Sequence, residues 1–137
     1  MPQWLMKTEP DDYSWARLVA DGATEWSGVR NHQAAANLRA MQPGERAFFY
    51  RSVVEPAIVG VMTIAGTAYP SPDDPTGKFV QIKVKPLLPV AREVALKAIK
   101  ADPRLLDLGL VRQSRLSVMP ISDSHWQILC EMAGIEP

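Results

Sequence analysis

The chain of 137 residues holds one cysteine, Cys130, and two histidines, His32 and His125. A lone thiol excludes an internal disulfide, and this N/S donor set is too small for the usual zinc sites. Neither histidine has Cys, His or Asp companions at metal or triad spacing, so both read as ordinary surface or core side chains. Cys130 falls on the apolar face of a helical stretch and reads as a small core residue. Nor is there a GxGxxG, a P-loop or a GxSxG. No metal, no cofactor and no catalytic residue is therefore expected. The longest apolar runs fall far below the roughly 20 residues that span a bilayer. No basic-then-apolar leader precedes Gln3-Trp4, so a cytoplasmic setting and no membrane partner are expected. An excess of one charge is missing too: 15 basic and 15 acidic side chains cancel, which disfavours coating nucleic acid by bulk charge.

What is present is globular. Apolar residues at 47% and charged residues at 22% match ordinary folded domains, and the length suits one domain over residues 1–137, acting as a monomer. The charge is unevenly spread. Residues 75–115 carry nine Lys or Arg against Glu93, Asp102 and Asp107, a local excess of six. That segment is either a solvated basic face or a groove for phosphates.

Hydrophobic periodicity and punctuation predict the elements. Residues 3–7 read as a strand ended by Glu9-Pro10, and Ser14 as the N-cap of a short helix stopped near Gly22. Residues 31–41 form the clearest helix, with Ala34, Ala35, Leu38 and Met41 as one stripe, stopped by Pro43-Gly44. Residues 46–50 and 57–64 are β-rich, the second suited to the centre of a sheet. Tyr69-Pro70-Ser71-Pro72-Asp73-Asp74-Pro75 is a rigid loop. Residues 79–85 alternate as a strand with a wet Gln/Lys face. Residues 93–100 read as helical, Asp102-Pro103 opens another short helix, and 116–119 is a last strand ended by Pro120. Ser122 or Asp123 caps a closing helix that ends at Gly134. Strands scattered among short helices predict an α+β domain with a curled, barrel-like sheet.

Three stretches offer chemistry. Trp26-Ser27-Gly28-Val29-Arg30-Asn31 runs into the best helix. Gly28 admits close approach, the first helical N–H groups lack internal partners, and Trp26 offers a flat face for a base. The same pattern also serves as an ordinary hydrophobic staple. Lys7 and Glu9, two residues apart at a strand end, can donate to and accept from the edge of a base, or form a plain surface pair. Tyr50-Arg51-Ser52 and Ser114-Arg115-Leu116-Ser117 add hydroxyls and guanidinium groups at strand boundaries.

The motifs Trp4-Leu5-Met6-Lys7-Thr8-Glu9-Pro10-Asp11-Asp12-Tyr13-Ser14, Trp26-Ser27-Gly28-Val29-Arg30-Asn31-His32-Gln33-Ala34, Gly44-Glu45-Arg46-Ala47-Phe48-Phe49-Tyr50 and Gln113-Ser114-Arg115-Leu116-Ser117-Val118 occur in this order. Together they resemble the EVE domain family, whose eukaryotic relative is the thymocyte nuclear protein. The resemblance spans essentially the whole chain. It implies a PUA-like fold, a small curved mixed β-barrel flanked by short helices and related to YTH domains. It also implies a non-catalytic pocket for a modified nucleobase of DNA or RNA. By that resemblance Trp26 is a stacking wall and Ser27, Gly28, Val29, Arg30 and Asn31 line the pocket. Lys7, Glu9, Tyr50, Ser52, Ser114, Arg115 and Ser117 complete it. Two departures stand out: Arg51 replaces a common His, and the 72–78 loop lacks the second cage Trp of YTH relatives. Tyr69 or Phe79 is the expected substitute wall, and Lys83 and Lys85 are expected to meet phosphates. The alternative is an enzyme on a modified nucleotide or nucleic acid, using Lys7, Glu9 or Tyr50 as acid/base groups.

Overall fold

A computed structural model describes residues 2–137. These residues form seven strands and five short helices: β1 (Gln3–Thr8), α1 (Trp15–Asp21), β2 (Thr24–Trp26), α2 (His32–Ala40), β3 (Arg46–Arg51), β4 (Ala57–Ile64), β5 (Tyr69–Pro70) and β6 (Val80–Ala95) come first. Then follow α3 (Leu96–Ala101), a 3-10 turn (Pro103–Leu105), α4 (Gly109–Arg112), β7 (Val118–Ile121) and α5 (Asp123–Ala133). The strands form one mixed sheet in the order β2-β6-β4-β3-β1-β7, with β5 added to β6. Among the described residues only β1 and β3 pair in parallel. Helix α2 packs on both β6 and β7; since β7 forms one end of the sheet and β6 lies next to the other, the sheet must curl around it. Ala34 and Ala35 on its buried stripe let the backbones come close, and Asn37 Nδ2 donates to the Val118 carbonyl at 2.7 Å.

Strand β3 is buried on both faces because layers cover each side. Alternate side chains leave a strand in opposite directions. Phe48 meets Trp126 of α5 in a stack with centroids 4.0 Å apart. Phe49 points the other way and meets the indoles of Trp15 and Trp26 edge-on, at 5.4 and 5.6 Å. Trp15 also lies over Gly60 of β4, where a Cβ would stand 2.5 Å from its ring, so only glycine fits there.

The caps read from the sequence are present: Ser14 accepts from Arg17 N, Ser122 from His125 N, and Asp102 from Arg104 N. Gly22 and Gly134 close their helices with φ of 77° and 72°. Four expectations change. Glu93, Val94 and Ala95 are strand, not helix. Strand β6 runs on to Ala95 because Val94 and Ala95 pair with Ile58 and Ala57, and that pairing overrides local helix propensity. Its prolines survive at irregularities: Pro86 and Pro89 pair with Met62 and Gly60, where the register shifts. The last strand is 118–121, not 116–119, and passes through Pro120 because β7 is an edge strand bonded only to β1. The rigid loop contains a two-residue strand, Tyr69–Pro70, and the segments forming β2 and α4 carried no recognised periodicity.

Candidate nucleobase site

Parallel pairing sends the C-terminal ends of β1 and β3 to the same rim of the curled sheet, with Lys7 beside Tyr50 in register. The β2–α2 turn and the segment preceding β7 reach that rim from either side, and together they enclose a cavity of about 910 Å³. That lies within the roughly 300–1,000 Å³ typical of small-molecule sites.

Each wall has a local cause. Gly28 adopts φ 79° with open space around its missing Cβ, so the turn needs glycine for its backbone rather than for room. Asn31 caps α2, its Oδ1 accepting from Ala34 N at 2.9 Å. Among the described residues, the N–H groups of Gly28 and Val29 have no acceptor in the chain, and they sit next to the positive end of the α2 dipole. Trp26 borders the cavity but is only 6% exposed, its indole fixed against Phe49.

Lys7 Nζ donates to the Ser114 carbonyl at 3.0 Å and lies 5.8 Å from the Tyr50 ring centroid. Its backbone N–H donates to the Ser117 carbonyl at 2.9 Å, and Ser52 N–H donates to that of Thr8 at 2.9 Å. These bonds tie the two serine-bearing segments to β1. Burial lowers the Lys7 pKa, and it pushes the Tyr50 phenol up to about 12. Tyr50 is thus a neutral hydroxyl, poorly suited to serve as a base, and Lys7 is a cation short of solvent. Glu9, at the mouth, is exposed and uses its carbonyl to hold the turn to Asp12 and Tyr13.

All thirteen residues assigned to the pocket from the sequence border this one cavity: Lys7, Glu9, Trp26 to Asn31, Tyr50, Ser52, Ser114, Arg115 and Ser117. Tyr69 and Phe79 do not. The Tyr69 hydroxyl donates to Glu25 at 2.9 Å and accepts from Gln81, while Phe79 stacks on His32 at 5.1 Å and lies under the Arg30 guanidinium at 5.5 Å. Arg30 in turn reaches Asp73 at 3.3 Å, which pins the proline-rich loop beside α2. Lys83 and Lys85 are exposed on β6 outside the cavity; Lys83 pairs across from Glu25, which borders it. Sequence reading missed Tyr13, Thr24, Val53, Leu96, Lys100 and Leu110 among others. Lys100 arrives on α3, whose position depends on the long pairing of β6, and no local signal marked it. Among the described residues, Lys100 and Arg115 make no ion pair. By contrast Arg104 and Arg112, from the same basic segment, are held by Asp102 and Asp107. No cluster of three or more His, Cys, Asp or Glu suited to a metal occurs among the described residues.

Comparison with known proteins gives this geometry a context. A Rhodopseudomonas palustris protein solved by NMR is 44% identical and superposes with a TM-score of 0.92, covering 98% of this chain and 94% of its own. Human thymocyte nuclear protein 1 is 32% identical over 98% of this chain and 75% of its own length. The crystal structure of human THYN1 protein in complex with 5-methylcytosine containing DNA matches at a TM-score of 0.91 and 30% identity, with both chains fully covered. A YTH domain of Zygosaccharomyces rouxii shares the fold at a TM-score of 0.62 and 15% identity. The EVE domain model matches residues 3–132, and the chain belongs to the EVE domain family.

Proposed function

We propose that the rim cavity receives a modified nucleobase of DNA or RNA, swung out of its stack, and that the protein reads the base without transforming it. The observation that carries this reading is the composition of the cavity: an indole wall, two unpartnered backbone N–H groups, a half-buried ammonium and several hydroxyls bordering one space with ample room for a base. Such groups match what a flipped base presents, a π-face and a polar edge. Trp26 is the stacking wall, the Gly28 and Val29 amides and Lys7 donate to the base edge, and Glu9 accepts from it. Lys100 and Arg115, the unpaired cations at the cavity, take the flanking phosphates. The relative solved with 5-methylcytosine DNA supports the ligand class, and methylated cytosine is the first base to try. Against catalysis stands the Tyr50 phenol, held protonated by burial, and the absence of a nucleophile–base–orienter trio in the sequence.

Titration against DNA and RNA oligonucleotides carrying 5-methylcytosine, N6-methyladenine or no modification tests the reading. Trp26→Ala should weaken binding by about 1–3 kcal/mol, and Trp26→Phe by less. Because Trp26 is also buried, its truncation should cost about 3–5 kcal/mol of stability. The comparison is therefore made where circular dichroism shows both variants folded. Unchanged affinity in a folded Trp26→Ala protein places the base elsewhere. Turnover of any of these substrates by mass spectrometry, abolished by Lys7→Met or Glu9→Gln, would establish the enzyme instead.

A further inference from the structure

Between β3 and β4 the chain makes a turn that is strained and apolar at once. Val54 N–H donates to the Ser52 carbonyl at 2.9 Å and Val53, between them, has φ 72°. That is the γ-turn with positive φ at its centre, the rare and strained form, and a β-branched residue there is an outlier. Two residues on, Glu55 also lies in the left-handed region, at φ 46°, immediately before Pro56, where such a conformation is further restricted. Neither valine is buried in compensation: Val53 is 69% exposed and Val54 54%.

The strain is held from outside the turn. Arg51 donates from Nε and Nη2 to the Glu55 carbonyl at 3.1 and 2.8 Å, and from Nε to that of Val54 at 3.2 Å. Its guanidinium is fixed in turn by a two-pronged contact to Glu93, at 3.1 and 2.7 Å, which holds the pair charged from both sides. The location gives this device a purpose. Val53 borders the base cavity, while on the other flank Lys97 and Lys100 border a second hollow with Arg51 and Glu55. Val53 and Lys100 thus share the cavity rim, and Lys97 joins Lys100 at the second hollow beside the same turn.

We propose that the Val53–Val54 turn is a wedge for duplex nucleic acid: as a base swings into the cavity, the two valines enter the gap it leaves in the stack, with Lys97 and Lys100 on the adjoining phosphates. Extruding a base from a duplex leaves an apolar gap, and apolar side chains are the groups that fill unstacked steps. A pre-formed, clamped tip does so without ordering a loop on binding. This inference rests on the cavity being the base site, and it adds that the preferred substrate is a duplex.

The test uses the full chain, the panel of modified oligonucleotides above as duplexes and as matched single strands, and two variants. Val53→Gly with Val54→Ser removes the wedge and keeps a residue suited to positive φ; Val54→Ser alone touches only an exposed, unstrained position and guards against misfolding. On the duplex that binds best, the double variant should lose about tenfold in affinity and the single variant a smaller part. Val54→Ser should stay within twofold of wild type on the single strand, and the double variant should lose less there than on the duplex, whereas Trp26→Phe weakens both forms. Wild type that binds the single strand as tightly as the duplex overturns the wedge. So does equal loss by the double variant on both forms, or unchanged duplex affinity where Trp26→Phe is weakened. If Trp26→Phe is also without effect, or nothing in the panel binds, the base cavity falls and the wedge with it.

Discussion

Tyr50 and Lys7 sit side by side at the rim, and burial drives them toward the same neutral state. The Tyr50 phenol rises from 10.0 to about 12 on folding. Between those values the folded chain keeps a proton that the unfolded chain releases, so stability falls as pH climbs from 10 to 12. The difference amounts to about 3 kcal/mol when fully developed. Lys7 has the opposite slope: its lowered pKa means stability rises with pH as the unfolded lysine approaches 10.5. Comparing denaturation of wild type with Tyr50→Phe isolates the first contribution, and the variant should lose less stability than wild type over pH 10–12. Ultraviolet titration should find Tyr50 ionising only near the top of that range; ionisation near 10 would mean the phenol is solvated. Discrimination between bases is also decided by single side chains. Phe79 is committed to His32 and Arg30, and Tyr69 to Glu25 and Gln81, so neither supplies a second cage wall as the cavity stands. A methyl group then contributes little beyond about 0.8 kcal/mol of burial. Competition between duplexes differing by one methyl should give selectivity of no more than about tenfold, since 0.8 kcal/mol is roughly fourfold where 1.4 kcal/mol is one decade. A value above a hundredfold would mean that Tyr69 or Phe79 leaves its partners to close over the base.

Helix α2 links the fold to the site, since its cap residue also lines the cavity. Asn31→Ala removes the bond to Ala34 N and should cost about 1 kcal/mol of stability. Asn31→Asp keeps the cap, and its charge suits the helix dipole, so its melting temperature should match or exceed wild type. The same carboxylate facing the cavity should nevertheless weaken nucleic-acid binding. A stable Asp variant with undiminished affinity would show that the ligand never approaches the helix end. This helix was readable in advance because its stripe, its cap and its Pro43-Gly44 stop all agree. The thirteen residues that border the cavity came instead from the family resemblance, because each short run alone also reads as an ordinary turn or surface pair. Elements set by distant pairing were not readable. The three residues of β2 become a strand only because β6 lies alongside. The stretch 93–95 has helical composition but is pulled into β6 by Ile58 and Ala57. That displacement carries α3 and Lys100 to the cavity, which is why the lysines beside the site could not be read from their own neighbourhood.

At the level of the whole molecule the charges cancel, 15 against 15, and long-range attraction to a polyanion is correspondingly weak. On the proposed function, affinity comes from a few cations placed at the cavity mouth rather than from a field. Most arginines of the basic segment are unsuited to this: Arg104 and Arg112 are matched by Asp102 and Asp107, and Arg92 donates to the Glu131 carbonyl. Lys100 and Arg115 remain at the cavity, with Lys97 beside the turn. Three phosphate contacts release three condensed counterions, giving a slope of log affinity against log salt of roughly −2 to −3, since each contact contributes about 0.7–0.9. Lys100→Ala and Arg115→Ala should each flatten that slope by one such increment and lower affinity for modified and unmodified sequences alike. Trp26→Phe should lower affinity and leave the slope unchanged, because stacking displaces no counterion. Lys83 and Lys85, out on β6, are the control: if their replacement flattens the slope instead, the strand runs along that edge of the sheet. A wild-type slope near zero would remove phosphate contacts altogether and leave a pocket for a free base or nucleoside.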